Sequence, residues 1–209
     1  MSEPDTRTLS GDSKMRKHFF VIIVALLLTA TVCAAGCTSN NTSPTPSASA
    51  TRSATFVPKN ISGYRNYTNS SAGVAIQYPP SWQLTEPGGI YANAYFNVNG
   101  ADMSFTIAAP ESVSGQSMTL DGFSQGLISA LQQNATNFTY KLSNTTLAGY
   151  PAQKIVFTLV SEGTTRQGII ELTLVNDTGY ALTYEAAQGV YPTYVGIAQN
   201  MMQSFNITG

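Results

Sequence analysis

Residues 153–187, QKIVFTLVSEGTTRQGIIELTLVNDTGYALTYEAA, hold three apolar stretches separated by two short polar turns. Gln153–Val160, Gln167–Val175 and Tyr180–Ala187 are rich in Val, Ile, Leu, Thr and Tyr, residue types that fit a pleated surface, so each reads as a strand. Glu162-Gly163 is a two-residue turn and sets Lys154 opposite Glu171. Asp177-Thr178-Gly179 reads as a three-residue loop with glycine in the left-handed position. Asn176 then faces Tyr180, and Glu171 faces Glu185. These registers also align Ile155 with Ile170, Leu172 with Tyr184 and Leu174 with Leu182. Matched apolar rows are what fix register when one face of a sheet is buried.

Working outward, further strands are expected near Tyr64–Thr68, Val74–Tyr78, Ile90–Val98 and Met103–Ala108, with a weaker one at Phe138–Leu142. Pro79-Pro80 stops the second of these, and Asn99-Gly100-Ala101-Asp102 turns the chain between the third and fourth. Thr119 is an N-cap for a helix that carries Leu120, Phe123, Leu127, Ile128 and Leu131 on one face. Pro192 opens a last helix with Tyr194, Ala198, Met201, Met202 and Phe205 on its buried side, the two methionines as core filler. Strands outnumber helices and short turns join them. The fold class is α+β, a central mainly antiparallel sheet of about six or more strands flanked by helices.

Upstream of this domain the sequence changes character. Lys14, Arg16, Lys17 and His18 precede the uncharged run FFVIIVALLLTA at 19–30, and small residues follow up to Cys37. A basic start, a short apolar run and small residues before a cut form a secretory signal. Ala34-Ala35-Gly36-Cys37 resembles a lipobox, whose cysteine becomes the first mature residue and carries a diacylglyceryl anchor, although leucine is missing at Ala34. Met15 makes a better start than Met1, so residues 1–14 read as an over-called start. Residues 1–36 are thus a signal peptide, 37–59 a lipid-anchored Ser/Thr/Pro/Asn-rich linker, and 60–209 the folded domain. The linker has too little apolar surface to offset its ordering entropy and would act as a tether. An uncleaved N-terminal helix is the alternative anchor. Simple secretion is the third reading; all three export the domain, and the anchored ones, of which the lipoprotein is preferred, hold it on the outer face of the cytoplasmic membrane.

Of the 209 residues only 10% are charged, and the net charge is −1, so no basic footprint for nucleic acid exists. The single histidine and both cysteines lie at or before Cys37. Beyond it, a Ser-His-Asp triad, a Cys-His dyad, a Cys- or His-ligated metal and a structural disulfide are excluded. No phosphate loop or calcium loop occurs, and no cofactor or metal is expected. Ten of the 14 asparagines after Cys37 stand in Asn-x-Ser/Thr sequons: Asn40, Asn41, Asn60, Asn66, Asn69, Asn134, Asn137, Asn144, Asn176 and Asn206. Chance would give about three at this Ser/Thr content, so the excess suggests an exported, glycosylated protein.

Two constellations are candidate sites. The row Lys154–Glu171–Glu185 would hold two facing carboxylates, which could bind a cation or act as an acid/base pair. The plainer reading, a cross-strand charge row worth about 1 kcal/mol or less, is preferred. Tyr91-x-Asn93-x-Tyr95-x-Asn97 alternates onto one strand face, suited to stacking on sugars or meeting a protein. The alternative is that the tyrosines are strand formers lying under a helix or loop.

Tyr78-Pro79-Pro80-Ser81-Trp82, after Ala72-Gly73-Val74, resembles the Y-P-x-x-W signature of the PsbP-like domains, named for an extrinsic subunit of photosystem II. Leu147-Ala148-Gly149-Tyr150-Pro151-Ala152 is similar to that family's lead-in to a long strand. Ala181-Leu182-Thr183-Tyr184-Glu185-Ala186, Tyr191, Tyr194 and Ser204-Phe205-Asn206-Ile207 resemble its closing strand, helix and terminal Ser-Phe. The match runs over residues 64–208. The resemblance implies an α/β/α sandwich and a non-catalytic binding, assembly or scaffold module, often a prokaryotic lipoprotein. Photosynthetic members assist a manganese–calcium site, but this domain has no histidine or acidic cluster to which that role could be carried. The expected partners are the membrane, through Cys37, and an unknown protein or glycan at the cell surface. The rival readings are a glycoside-acting enzyme using Glu171 and Glu185 and a glycosylated spacer of the envelope.

Overall fold

The computed structural model describes residues 51–86, 94–108 and 118–208. Ten strands and two helices follow one another in these segments. They are β1 (Arg65–Asn69), β2 (Val74–Tyr78), β3 (Gln83–Thr85), β4 (Ala94–Val98), β5 (Ala101–Ala108), α1 (Leu120–Asn134), β6 (Thr136–Leu147), β7 (Tyr150–Ser161), β8 (Thr164–Val175), β9 (Thr178–Ala187), α2 (Tyr191–Ser204) and β10 (Asn206–Ile207). Seven strands form one antiparallel sheet in the order β3-β4-β5-β9-β8-β7-β6, and β1-β2-β10 form a second. This is an α+β fold, as expected.

The two central strands, β8 and β9, bury side chains on both faces. Ile155, Phe157, Leu159, Ile170, Leu172 and Ala181 meet Phe123, Leu127, Ile128 and Leu131 of α1 on one side. Ile169, Leu182, Tyr184 and Ala186 meet Ala198, Met201 and Met202 of α2 on the other, together with Tyr67, Val74, Ile76 and Trp82 of the small sheet and the segment after it. Each fully buried side chain of this size is worth about 1.5–3 kcal/mol, so α1 is held by its apolar face more than by propensity. Thr119 caps α1 by accepting from the Gly122 amide at 3.0 Å. The methionine pair is core, as read.

Four hairpins turn on two residues with positive φ at both: Asn99-Gly100, Ala148-Gly149, Glu162-Gly163 and Asn176-Asp177. Such turns match the right-handed twist of the flanking strands. Two sequence expectations fall here. The β4–β5 loop is two residues rather than four, which releases Asp102 into β5, opposite Glu185. The β8–β9 loop is Asn176-Asp177 rather than a three-residue loop, so Val175 pairs with Thr178 and Glu171 with Leu182, not with Glu185. Leu172 meets Ala181 and Leu174 meets Gly179. Gly179 is not the left-handed residue. It lies where a Cβ would come 2.9 Å from the Phe123 ring, so its lack of a side chain lets α1 approach the sheet. The strand expected only at Phe138–Leu142 runs twelve residues.

Residues 52–59, the end of the tract read as tether, lie against the domain. The Ser53 amide donates to Gly149 O at 2.7 Å and the Lys59 amide to Gln203 O at 3.1 Å. Arg52 donates from Nε to Ala148 O at 3.0 Å and from Nη2 to Asn206, with its guanidinium 4.8 Å from the Phe56 ring centroid.

Candidate functional site

Side chains alternate along a strand, so a register decides which charges share a face. The observed pairing puts Glu171 on the α2 side of the large sheet and Glu185 on the α1 side. The Lys154–Glu171–Glu185 row therefore does not form. Lys154 and Glu171 do pair, with Nζ–Oε1 at 3.1 Å, on strands β7 and β8. Glu185 joins a different group. In β9 it is the cross-strand partner of Asp102 in β5 and of Gly168 in β8, and Arg166 stands two residues earlier on β8.

Arg166 spans the two acids. Its Nε donates to Glu185 Oε1, and its Nη2 lies 3.3 Å from Asp102 Oδ2. Asn97 of β4 donates from Nδ2 to Asp102 Oδ1. Glu185 is 1% exposed and Asp102 4%, while the Arg166 side chain keeps 20%. Oε2 of Glu185 is buried without a hydrogen-bond partner. Gly168 makes room beside it: a Cβ there would fall 2.2 Å from the Phe157 ring and 2.7 Å from Tyr184 O.

Two carboxylates and one guanidinium leave one surplus negative charge in a dry setting. Burial pushes the Glu185 carboxyl above the ordinary glutamate range, against the pull of Arg166, with Asp102 pushing it further up. Burial alone would lower Arg166, but Glu185 and then Asp102 outweigh it and hold the guanidinium charged. One carboxyl has an oxygen left bare and the guanidinium has two anions, so desolvation wins on the first and attraction on the second. On the opposite face Tyr184 donates to Tyr191 O at 3.0 Å, and burial raises its phenol far above the ordinary value.

Tyr91 and Asn93 lie outside the described residues. Tyr95 sits in β4 between Thr85 and Ser104. Asn97 is half-buried and bonded to Asp102, so its amide is spent inside the fold. Cys37, Asn40 and Asn41 also lie outside the described residues. Of the other sequon asparagines, Asn60, Asn66, Asn137, Asn144 and Asn176 are exposed and Asn69, Asn134 and Asn206 half-buried. Sequence reading missed Arg166 and Asp102 as partners of Glu185. The available signal was a glutamate set in the apolar run Tyr184-Glu185-Ala186, which demands a buried cation.

The residues that carried the family resemblance do packing work. Tyr78 and Trp82 are buried, with Tyr78 5.0 Å from Phe96 and Trp82 edge-on to Tyr194 at 6.0 Å between centroids. Ser204 accepts from the Gln77 amide at 2.9 Å and donates to Met201 O, which ties α2 to β2. Phe205 is fully buried.

The architecture is that of the PsbP-like fold. The chain is similar to the solution structure of cyanobacterial PsbP, CyanoP, from Synechocystis sp. PCC 6803, with a TM-score of 0.53 and 12% identity over 71% of this chain and 94% of that one. It is also similar to the crystal structure of LpqN, involved in cell envelope biogenesis of Mycobacterium tuberculosis, with a TM-score of 0.48 and 15% identity over 65% of this chain and 83% of that one. At 12% identity the likeness to CyanoP is one of fold alone. No family model and no curated protein matches the sequence.

Proposed function

We propose that this chain is a cell-surface lipoprotein, anchored through Cys37, whose PsbP-like domain is a non-catalytic binding, assembly or scaffold module for an envelope or membrane partner. The observation that carries this reading is how Asp102, Glu171 and Glu185 are used. Asp102 and Glu185 are locked on Arg166 inside the fold, and Glu171 is paired with Lys154 on the other side of the sheet. A glycoside-acting mechanism needs two carboxyl groups about 5–10 Å apart across one cleft, and Glu171 and Glu185 point to opposite faces. What the described surface offers instead is amides, hydroxyls and the exposed Tyr140 ring, which stacks at 5.5 Å on the half-buried Phe138. Such groups hold a partner through shape and hydrogen bonds.

Isolation of the native protein from its own membranes in mild detergent tests this. A binding module brings down a partner in fixed ratio, and the ratio survives a salt wash. A protein recovered alone at every detergent and salt condition would overturn the binding reading and favour the envelope spacer.

A further inference from the structure

β6 closes one end of the large sheet, and no described strand pairs with its outer edge. It is twelve residues long, against three for β3 at the other end, and twelve residues of strand present about 40 Å of unpaired backbone. An edge of that length is a template for strand addition unless charge, proline or a bulge blunts it. β6 carries one charge, Lys141, and no proline, and its bulge is confined to Thr136–Thr139. From Thr139 to Leu147 it pairs regularly with β7.

Two sequon asparagines, Asn137 and Asn144, lie in β6 and a third, Asn134, ends α1 just before it, and the three are not equivalent. Transfer of a glycan uses the side-chain nitrogen, so an amide already engaged is a poor acceptor. Asn134 donates from Nδ2 to Ala130 O at 2.7 Å, at the end of α1. Elsewhere Asn69 donates from Nδ2 to the Tyr67 hydroxyl and accepts from the Ala72 amide, while Asn206 accepts through Oδ1 from Arg52, and Asn60 and Asn66 through Oδ1 from Gln77, which holds each amide plane without engaging Nδ2. Asn137 and Asn144 are exposed and make no side-chain hydrogen bond among the described residues.

We infer that Asn137 and Asn144 carry N-linked glycans, and that these glycans shield the β6 edge from strand addition by a second copy of this chain. The inference rests on the export proposed above. In the transfer, Nδ2 forms a bond to C1 of an oligosaccharide carried on a lipid phosphate. The C1–O bond to the phosphate breaks, the lipid phosphate leaves with the bonding electrons, and the nitrogen's proton passes to a base of the transferase. The occupant kept out is a second copy because β6 against β6 is antiparallel and self-complementary about a two-fold axis. Copies anchored in one membrane also meet at high local concentration.

The test is glycopeptide mass spectrometry on protein taken from its own membranes, followed by sedimentation of two variants from the same source. Asn137 and Asn144 are expected to be modified and Asn134 bare. Asn137→Gln/Asn144→Gln, and independently Thr139→Ala/Thr146→Ala, which removes the sequons while keeping both asparagines, are expected to self-associate at least tenfold more tightly than the native protein. Bare Asn137 and Asn144 in a protein that proteases digest on intact cells would overturn the inference and leave export standing. A protein shielded from protease until lysis would overturn the export reading itself. Modified sites whose removal leaves self-association unchanged would overturn the shielding role.

Discussion

Arg166→Met removes a guanidinium and leaves Asp102 and Glu185 facing each other as cross-strand partners, 4% and 1% exposed. Methionine fills similar space, so the loss is electrostatic rather than a cavity. Breaking a buried pair by deleting one partner costs about 3–5 kcal/mol, because an uncompensated charge stays in the interior. With a urea slope of about 2 kcal/mol/M, the midpoint should fall by about 1.5–2.5 M. Trp82 is the only tryptophan and is 2% exposed, so its fluorescence reports unfolding directly. The pH dependence gives a second readout. Glu185 already titrates above the ordinary glutamate value, so between that value and its raised one the folded state binds more protons than the unfolded chain. Stability therefore falls as pH rises through this window. Without Arg166 the window extends upward, so the variant's deficit is largest near neutral pH and shrinks as pH falls towards the ordinary glutamate range. Adding Asp102→Asn and Glu185→Gln to Arg166→Met should restore more than half of the loss. A deficit under about 1 kcal/mol, or one that does not change with pH, would refute the reasoning.

Arg52→Ala removes a hydrogen bond to Ala148 O, the contact with Asn206 and the stacking on Phe56. It should cost about 1–2 kcal/mol and open residues 52–59 to proteolysis, seen as a new cleavage in a timed digest. Gly168→Ala places a methyl into Phe157 and the Tyr184 carbonyl and should lower stability by about 1–3 kcal/mol. Gly126→Ala, exposed in α1 with nothing within 4 Å of the added Cβ, should raise stability by about 0.5–1 kcal/mol. Thermal melts of the two variants side by side check both signs.

The hydrophobic pattern carried the architecture because it is local and redundant. Val74–Tyr78, the α1 face and the Glu162-Gly163 turn are each specified by several neighbouring residues, and each stands where the pattern put it. The charged site was lost on a single turn. Gly179 looked like the left-handed residue of a loop, whereas Asn176 and Asp177 take positive φ and Gly179 is small to admit Phe123. Moving the register by three residues carries Glu185 to the other face, since side chains alternate with a period of two. Apolar residues were matched in the wrong register too, Leu174 with Leu182 for example, because β8 and β9 are apolar on both faces. A buried-charge criterion, pairing Glu185 with an arginine rather than with another glutamate, selects the observed register. The docking of Arg52 had a fainter signal, one cation in a tract otherwise free of charge up to Lys59.

Export and anchoring underlie both the proposed role and the glycan assignment, and intact mass of the protein purified from its own membranes tests them together. The expected species begins at Cys37 and carries a diacylglyceryl group on its thiol, with any glycan mass added in whole sugar units. A mass that retains residues 15–36, or an unlipidated chain recovered from the soluble fraction, would contradict a lipoprotein held at the cell surface.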